Sequence, residues 1–347
     1  MKDDCSTEPH VSIIVHNYKG FKRLETCLSS LSKTEYCNMD IIVTDALSDG
    51  IDQWIKDNFQ NVTIAHFDQD DGIPARRNAG LGLRKPHSKY VVFMDEDIVV
   101  CENWLSTLVQ AMESDPSIGA AQPLMLSSHN SNKIDNAGCY IDVFGFPHKI
   151  KGIADKVDLE ALKSVSYAET AVMIVRCAFF DELPNNYDAF DADYFVHWYD
   201  IDFCWKILLS GYKIVFVPQS QVYHERRLSS GSGRLPPKNI YLNTRNKMIT
   251  LLKNYSSMSL IKFIPCSIGL EVAKAIILLK RKPSHSIAIL RALFWILTDL
   301  RNIEFKRQAV NKLIRTVPDS MVIRYFLKPD FSRLYRDFRA NYSFQQI

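Results

Sequence analysis

Polar side chains follow three apolar runs of the chain that are rich in β-branched residues. Asn17 follows VSIIV, Asp45 follows DIIVT, and Asp95 and Asp97 follow KYVVFM. Short runs of this kind predict buried strands, and an open parallel sheet binds its ligands beyond the carboxyl ends of its strands. Fixed carboxylates at such an edge suit ribose hydroxyls or a hard divalent cation. The sequence therefore predicts a polar binding site at one edge of a sheet.

The triplet Asp95-Glu96-Asp97 is the strongest of these signals. Alternate side chains of an extended segment point the same way, so we expect Asp95 and Asp97 to face one cation while Glu96 points away. Oxygen ligands suit Mn²⁺ or Mg²⁺. A solvated acidic turn is the alternative interpretation, but the position of the triplet directly after an apolar strand favours a metal site.

Strands that alternate with helices must position these groups. The pattern predicts strands at 11–15, 40–44, 62–66 and 89–94, and helices at 21–32, 51–59 and 74–84. This spacing is typical of an α/β fold with a mostly parallel sheet and helices on both faces. Further along, the pattern predicts helices at 102–114 and 198–210, strands at 118–126, 171–176 and 213–217, and loops around 136–147. Neither a Walker motif nor G-x-G-x-x-G follows a strand, which disfavours those phosphate-binding sites.

Several stretches, taken in order, resemble family 2 glycosyltransferases. The donor half of that family is matched by VSIIVHNYKG, DIIVTDALSDG, DGIPARRNAGL and YVVFMDED, and its second half by NAG at 136–138, the segment 190–224 and YLNTRN at 241–246. The resemblance covers residues 10–255, and within the family the chain looks most like rhamnosyl- and galactofuranosyl-type enzymes that build surface glycans. It implies the GT-A fold, which is a Rossmann-like, mostly parallel sheet with helices on both faces. It also implies inverting transfer of a sugar from a nucleotide-diphosphate-sugar donor to a hydroxyl of a glycan or polyprenyl-linked glycan.

The resemblance also implies roles on the donor side. The expected donor-binding residues are Asn17, Asp45, Arg77, Asn78 and Asp95. Asp45 matches the aspartate that meets the nucleobase or ribose. Asp95 and Asp97 match the pair that holds Mn²⁺ or Mg²⁺ on the diphosphate, and His224 matches the histidine that completes the metal site.

On the acceptor side, the resemblance implies that Asp200 is the catalytic base. The family usually has Glu-Asp at this point, whereas this chain has Tyr199-Asp200, and Asp202 is the competing candidate. Trp198, Tyr199 and Asp202 are the further acceptor-side candidates. The chemistry agrees with these roles, because a base must take the proton of the attacking hydroxyl and a cation must stabilise the departing diphosphate. A helix-capping role is the alternative for Asp200.

The charge of the chain is divided unevenly along its 347 residues. From Arg226 onwards the chain has 23 Lys and Arg residues and 6 Asp and Glu residues, a net charge of +17. The first 225 residues have a net charge of −14. The last part mixes apolar segments with basic residues such as Lys280-Arg281-Lys282. We therefore expect a catalytic domain over 1–255 and a basic amphipathic helical extension over 256–347 that meets an anionic membrane surface. A helical cap packed on the catalytic domain is the alternative.

No signal peptide or membrane-spanning segment is predicted. Together with the basic extension, this favours a cytoplasmic protein that is peripheral at the inner face of the cytoplasmic membrane and serves polysaccharide biosynthesis for the cell envelope. The eight cysteines contain no C-x-x-C pair, so we expect reduced core thiols. The stretch 229–233, SSGSG, is expected to be a mobile loop over the diphosphate.

Other classes of function compete with this interpretation. A non-catalytic nucleotide-sugar-binding relative is possible because Tyr199 replaces the usual acid. A nucleotidyltransferase also uses a D-x-D pair, but the chain lacks the glycine-rich, lysine-containing loop of that class. Nucleic-acid binding through the basic extension is disfavoured, because the chain contains no recognised nucleic-acid-binding fold and its basic residues alternate with long apolar stretches.

Overall fold

The computed structural model describes residues 8–153, 159, 164–184, 187–226 and 236–342. Its contacts divide the chain into two compact units. The first unit contains residues 1–139 and 149–226, and the second contains residues 140–148 and 227–347. The predicted loop at 229–233 lies outside the described residues.

Twelve strands and twelve helices follow one another in the described part of the chain. The strands are β1 Val11–Tyr18, β2 Met39–Ala46, β3 Val62–Phe67, β4 Tyr90–Asp95, β5 Ile98–Val100, β6 Ile118–Ser127, β7 Asn130–Asn136, β8 Cys139–Ile141, β9 Pro147–Lys149, β10 Gly152–Ile153, β11 Val172–Arg176 and β12 Lys213–His224. The helices are α1 Lys22–Leu31, α2 Ile51–Asn58, α3 Ile73–Gly82, α4 Trp104–Ser114, α5 Cys177–Asp181, α6 Tyr199–Leu209, α7 Pro237–Asn254, α8 Ser257–Leu279, α9 Pro283–Thr298, α10 Leu300–Leu313, α11 Asp319–Ile323 and α12 Phe331–Tyr342.

The first unit is built around a ten-stranded sheet in the order β10-β7-β6-β11-β4-β1-β2-β3, with β12 paired to both β6 and β5. The strands β3, β2, β1 and β4 run parallel, and β11 runs antiparallel to β4. In this register Asn17 lies opposite Asp45, and His16 lies opposite Asp95. The polar residues that follow the apolar runs therefore meet at one edge of the sheet, as the sequence predicts.

Both faces of the sheet are covered, which explains the continuous apolar runs of β1 and β4. On one face, α1 and α4 pack their buried side chains, such as Leu28 and Trp104, against the sheet. On the other face, an aromatic cluster holds α6, since Phe203 stacks on Phe190 with ring centroids 4.3 Å apart and meets Phe93 edge-on at 6.1 Å. The first turn of α6 is therefore fixed relative to β4.

Two sequence-based expectations are wrong. The predicted loops around 136–147 contain the short strand β8 and the start of β9. The strand β7 was not predicted, because its exposed, polar first half gives no strand pattern. Cys37 is disulfide-bonded, although reduced thiols were expected for all the cysteines. Cys37 is exposed, and its Sγ lies 3.6 Å from Glu8 Oε2, so this cysteine is not a core residue. Cys27, Cys139 and Cys204 are buried and free, as expected.

The second unit is helical, apart from the short hairpin of β8 and β9 at its boundary. Helix α7 packs against α9 and α10, and α8 packs against α9. A buried ion pair joins α7 to α8, with Lys247 Nζ 2.6 Å from Glu271 Oε1. Because α7 packs with these helices, the boundary between the two compact units falls after Arg226. The sequence predicts a boundary between the catalytic domain and the helical extension after residue 255. Among the described helices, none has both the length and the apolar character needed to cross a bilayer.

Candidate active site

A buried polar cluster lies at the ends of β1 and β2. Asn17 Nδ2 donates to Asp45 Oδ1 at 2.5 Å, and Ser48 Oγ donates to the same oxygen at 2.7 Å. His66 Nδ1 lies 2.7 Å from Asp45 Oδ2. Asp45 is fully buried, so these three partners fix its carboxylate in one orientation. The sequence singled out Asn17 and Asp45 but missed Ser48 and His66, which no motif marks.

Arg77 lies beneath this edge with its guanidinium fully buried. One of its terminal nitrogens donates to the carbonyl oxygens of Ile14 at 3.2 Å and Met94 at 2.7 Å. The other donates to the Thr170 carbonyl oxygen at 2.9 Å and to the carboxylate of Asp95. Arg77 thus ties β1, β4 and the segment before β11 together and orients Asp95. A direct contact between Arg77 and a donor stays a prediction.

The neighbours of Arg77 on α3 also make contacts within the protein. Asn78 donates to the Phe190 carbonyl oxygen at 2.7 Å and accepts from the Phe190 backbone N–H at 2.9 Å, so both ends of its amide hold that loop. Arg76, which the sequence reasoning missed, donates to Asp70 at 2.9 Å and to His16 Nδ1 at 3.3 Å. The expected donor contact of Asn78 is untested, and its observed contacts are those of a positioning residue.

Strand β4 ends at Asp95, and Glu96 and Asp97 form the turn that leads into β5. The extended geometry expected for the triplet is therefore wrong, because the strand does not continue through it. Both aspartates are mostly buried, with 28% of the Asp95 side chain and 14% of the Asp97 side chain exposed. Burial raises the pKa of Asp95 to about 6, with Arg77 opposing this shift and Asp97 adding to it.

The topology of β12 brings His224 to this turn. Because β12 runs antiparallel to β5, His224 lies opposite Ile98, one residue after Asp97. Its Nε2 is 3.4 Å from Asp97 Oδ1, and its Nδ1 is 2.9 Å from Asp135 Oδ2. Burial disfavours the charged imidazole, but the hydrogen bonds to Asp135 and Asp97 outweigh it and raise the pKa of His224 to about 9. Asp135, on the strand β7 next to the edge of the sheet, was missed by the sequence reasoning.

The residues of this corner suit a divalent cation, although they do not enclose one by themselves. Among the residues that the structure describes, no three His, Cys, Asp or Glu side chains come together closely enough to form a complete metal site. Hard cations of this kind are commonly held by one or two carboxylates together with substrate phosphates. Asp97 and His224 supply an oxygen and a nitrogen side by side, and Asp135 orients the imidazole as carboxylates do for metal-bound histidines. The donor set therefore fits a metal that a bound diphosphate completes.

The two aspartates in the first turn of α6 have different surroundings. Asp202 is fully buried, and its Oδ2 lies 3.3 Å from Nζ of the equally buried Lys206. Asp200 is only partly buried, with Oδ1 accepting a hydrogen bond from the Ile201 backbone N–H. Burial and the nearby negative charge of Glu169 raise the pKa of Asp200 to about 6. Asp200 is therefore better placed to exchange a proton, whereas Asp202 is part of an internal ion pair.

The segment before α6 is held in an uncommon backbone conformation. Phe195, His197 and Trp198 have positive φ angles of 61°, 63° and 69°. Such residues persist where the surrounding structure enforces them, and they cluster at functional sites. Trp198 and Tyr199 are buried, and the Tyr199 hydroxyl lies 2.8 Å from Thr170 Oγ1. Tyr199 therefore anchors the start of α6, and the expected acceptor contacts of Trp198 and Tyr199 remain untested.

A mixed-charge cluster lies between the metal corner and Asp200. Glu169 accepts hydrogen bonds from Lys149 and Asn136, and Arg226 NH2 lies 3.9 Å from its Oε2. Arg226 Nε also donates to Asp135 Oδ1 at 2.7 Å. The sequence reasoning noticed Asn136 only through the NAG triplet and assigned no site role to Glu169 or Lys149. These residues come from separate strands and loops, and only the fold brings them together.

Comparison with known proteins identifies the domain that carries this site. Residues 12–182 match the family model of glycosyl transferase family 2. Over these residues the first unit is similar to family 2 glycosyltransferases. The matched residues include the cluster around Asp45 and the Asp95–Asp97 turn, but they end before Asp200 and His224. The positions of those two residues in the site therefore rest on the geometry described above.

The proteins that the chain resembles are distant in sequence. The chain is 24% identical over 233 residues to glycosyltransferase GlyG of Streptococcus pneumoniae, covering 63% of this chain and 72% of that protein. It is 24% identical over 245 residues to the uncharacterized protein y4gI of Sinorhizobium fredii, covering 66% of this chain and 26% of that protein. It is 22% identical over 230 residues to the pre-mycofactocin glycosyltransferase of Mycobacterium tuberculosis, covering 61% of this chain and 41% of that protein.

Likeness to solved structures shows that the chain has the GT-A fold. The structure of GalNAc-T7 with UDP, GalNAc and Mn²⁺ matches with a TM-score of 0.56 and 17% identity, covering 73% of this chain and 49% of that chain. The mannosyltransferase PcManGT from Pyrobaculum calidifontis, in complex with GDP-Man and Mn²⁺, matches with a TM-score of 0.51 and 15% identity, covering 89% of this chain and 87% of that chain. The predicted fold class is confirmed, including the helical C-terminal region.

Proposed function

We propose that the protein is an inverting glycosyltransferase that uses a nucleotide-diphosphate-sugar donor and a divalent metal ion. The observation that carries this proposal is the contact of His224 with Asp97 at the carboxyl edge of the sheet, where Arg77 holds Asp95 at the end of β4. Asp45 lies at the same edge, and Asp200 begins the neighbouring helix α6. The family match and the nucleotide and Mn²⁺ named for the structural neighbours support this interpretation.

The donor side would use groups that are already oriented. Asn17, Ser48 and His66 hold the carboxylate of Asp45, which suits hydroxyl or amide groups of a nucleoside. Asp97 and His224 would hold Mn²⁺ or Mg²⁺, with Asp95 fixed beside them by Arg77. The metal would supply positive charge that stabilises the diphosphate as it leaves.

The acceptor side would use Asp200 as the base. The acceptor hydroxyl oxygen forms a bond to the anomeric carbon, the bond from that carbon to the diphosphate breaks with its electron pair, and the hydroxyl proton passes to the Asp200 carboxylate. Attack from the face opposite the leaving group inverts the configuration. Asp202 is excluded from this role in the proposal, because its carboxylate is buried against Lys206.

The acceptor and the location of the reaction are also parts of the proposal. We assign a glycan or polyprenyl-linked glycan as acceptor, transfer of the rhamnosyl or galactofuranosyl type, and a role in cell-envelope polysaccharide biosynthesis. The basic second unit supports a position at an anionic membrane surface, peripheral to the inner face of the cytoplasmic membrane. We also propose that residues 1–255 form the domain that catalysis requires.

The test is release of nucleoside diphosphate from a panel of uridine, guanosine and thymidine diphosphate sugars. We expect slow, metal-dependent hydrolysis of at least one donor without an acceptor, and its loss in EDTA or in Asp97→Ala. Asp52→Ala removes an exposed carboxylate in the first turn of α2 and serves as the matched control. Full turnover in EDTA, or equal turnover by the two variants, would show that the proposed metal role is wrong.

A further inference from the structure

Helix α8 carries large apolar side chains on its exposed face as well as on its buried face. Its exposed face includes Met258, Ile261, Ile268, Ile276 and Leu279, at helical spacing. Its buried side chains are Phe263, Ile264, Ser267, Glu271, Ala275 and Leu278, and Glu271 is held by Lys247 and Lys274 at 2.6 and 2.5 Å. A helix on a water-soluble surface normally exposes polar and charged side chains instead of large apolar ones. The outward face of α8 is therefore built for a partner less polar than water.

Helix α9, which packs against α8, continues the same surface. Its exposed apolar side chains are Ile287, Leu290, Phe294 and Leu297, while Ala288, Ala292 and Ile296 face inward. Phe294 is 67% exposed and Ile276 is 66% exposed. Of the exposed large hydrophobic side chains in the described residues, only Leu83 and Ile153 lie outside residues 258–335. Ten of these eighteen exposed side chains lie on α8 and α9, so the exposed apolar surface is concentrated on the C-terminal helices and above all on these two.

The charges along these two helices have one sign. Between residues 257 and 298 the sequence contains a single acidic residue, Glu271, and it is buried in the ion pairs described above. The exposed charged residues of this stretch are Lys262, Lys280, Arg281 and Arg291. Lys280 and Arg281 lie at the turn that joins the helices. An apolar face flanked only by exposed positive charge is complementary to an anionic lipid surface.

We infer that the outward faces of α8 and α9 insert into the interfacial layer of an anionic membrane, with the Lys280–Arg281 turn at the headgroups. The helices would lie in the plane of the interface, since no described helix is long and apolar enough to span it. A purely electrostatic contact would need only the basic residues and would leave the apolar faces without a role. This inference extends the membrane contact included in the proposed function, but it does not depend on the glycosyltransferase reaction.

Flotation of the full chain with vesicles tests the inference. The vesicles are phosphatidylcholine alone, or a three-to-one mixture of phosphatidylcholine and phosphatidylglycerol, at about 0.1 M and about 1 M salt, where screening differs strongly. We expect binding to the anionic vesicles that is weakened by high salt but not abolished. Ile276→Ser with Phe294→Ser should lower affinity about tenfold or more at both salt concentrations, because apolar burial is lost. Lys280→Ala with Arg281→Ala should lower it about fivefold per residue at low salt only.

The controls separate the inference from its alternatives. Leu83→Ser removes an exposed apolar side chain of the first unit and should bind like the wild type. Circular dichroism should show that all variants remain folded, because each change is at an exposed position.

Failure of the wild type to float with anionic vesicles at low salt would overturn the inference. A dimer in light scattering that Ile276→Ser with Phe294→Ser abolishes, without any change in vesicle binding, would show that a second copy covers this face. Donor hydrolysis in the absence of lipid should be unchanged by these variants, so loss of the proposed activity and loss of membrane insertion are distinguishable.

Discussion

Two carboxylates two residues apart in α6 differ in what surrounds them, and this difference decides their chemistry. Asp202 has a buried cation as its partner, so its charge is compensated and its lone pairs are engaged. Asp200 is partly exposed and has no salt bridge among the described contacts, and burial raises its pKa to about 6. A general base works best when its pKa lies near the working pH. Asp200 meets this condition, whereas Asp202 is held in a buried ion pair.

Replacing each aspartate by asparagine should separate the two roles. Asp200→Asn keeps the volume but removes the basic carboxylate, so we expect donor binding within a few-fold of wild type and a kcat loss on the order of 10²–10⁴. Asp202→Asn leaves the Lys206 charge buried without its counter-ion, so we expect a loss of about 3–5 kcal/mol in the free energy of unfolding. Kinetics and chemical denaturation of both variants give the comparison. A stable Asp202→Asn protein that turns over no substrate, beside an active Asp200→Asn protein, would move the base to Asp202.

The pH profile of kcat/KM should report the surroundings of Asp200. The base is active when deprotonated, so we expect activity to rise with pH through a midpoint near the pKa of Asp200, about 6. Glu169 raises this pKa by its negative charge and Lys149 lowers it by its positive charge. Glu169→Gln should therefore shift the midpoint down, and Lys149→Met should shift it up. Shifts in the same direction for both variants would contradict an electrostatic action on Asp200.

At the scale of elements, the start of α3 and the segment before α6 support each other. The Ile73 backbone N–H donates to the Phe195 carbonyl oxygen at 2.8 Å. Gly72, directly before α3, has φ of +87°, and a Cβ there would lie 2.6 Å from that oxygen and 2.7 Å from the Phe195 Cα. A glycine is therefore required for the close approach that positions the first turn of α6.

Gly72→Ala should displace this segment, whereas Gly82→Ala at the other end of α3 should not. A Cβ at Gly82 meets nothing within 4 Å. For Gly72→Ala we expect a cost of about 1–3 kcal/mol in the free energy of unfolding. We also expect a kcat loss of about tenfold to a hundredfold, because small displacements of catalytic groups are costly. Gly82→Ala should be neutral or slightly stabilising. Thermal unfolding and kinetics check both, and equal kcat values would show that the 195–198 segment does not position the base.

The elements that the sequence predicts well are those with two buried faces or one clear apolar stripe. The pattern places β1, β2, β3, β4 and the helices between them within a few residues, because continuous apolar runs and helical spacing have no other simple explanation. The strand β7 escaped prediction, since it lies near the sheet edge and its first four residues are exposed and polar. Asp135 was therefore missed with it. The pairing of Asp97 with His224, 127 positions apart in the chain, came only from family resemblance.

At the scale of the whole molecule, every predicted site residue lies in the first compact unit. Asn17 and His224 mark the limits of this set along the chain, and both belong to that unit. The apolar faces of α8 and α9 and most of the basic charge lie in the second. The proposed chemistry and the inferred membrane contact therefore occupy different units, which allows each to be disrupted without the other.

Donor binding should consequently leave its signature in the first unit alone. We expect Mn²⁺ with a nucleoside diphosphate to slow amide hydrogen exchange at the ends of β1, β2 and β4, where Asn17, Asp45 and Asp95 lie, and to leave α8 and α9 unchanged. At ligand concentrations of about 100 times Kd, binding should add about 2.7 kcal/mol of stability. Asp97→Ala should remove both the exchange protection and the stabilisation by Mn²⁺, while Ile276→Ser should retain them. Protection confined to α8 and α9 would mean that the nucleotide binds elsewhere, and the candidate site would then be wrong.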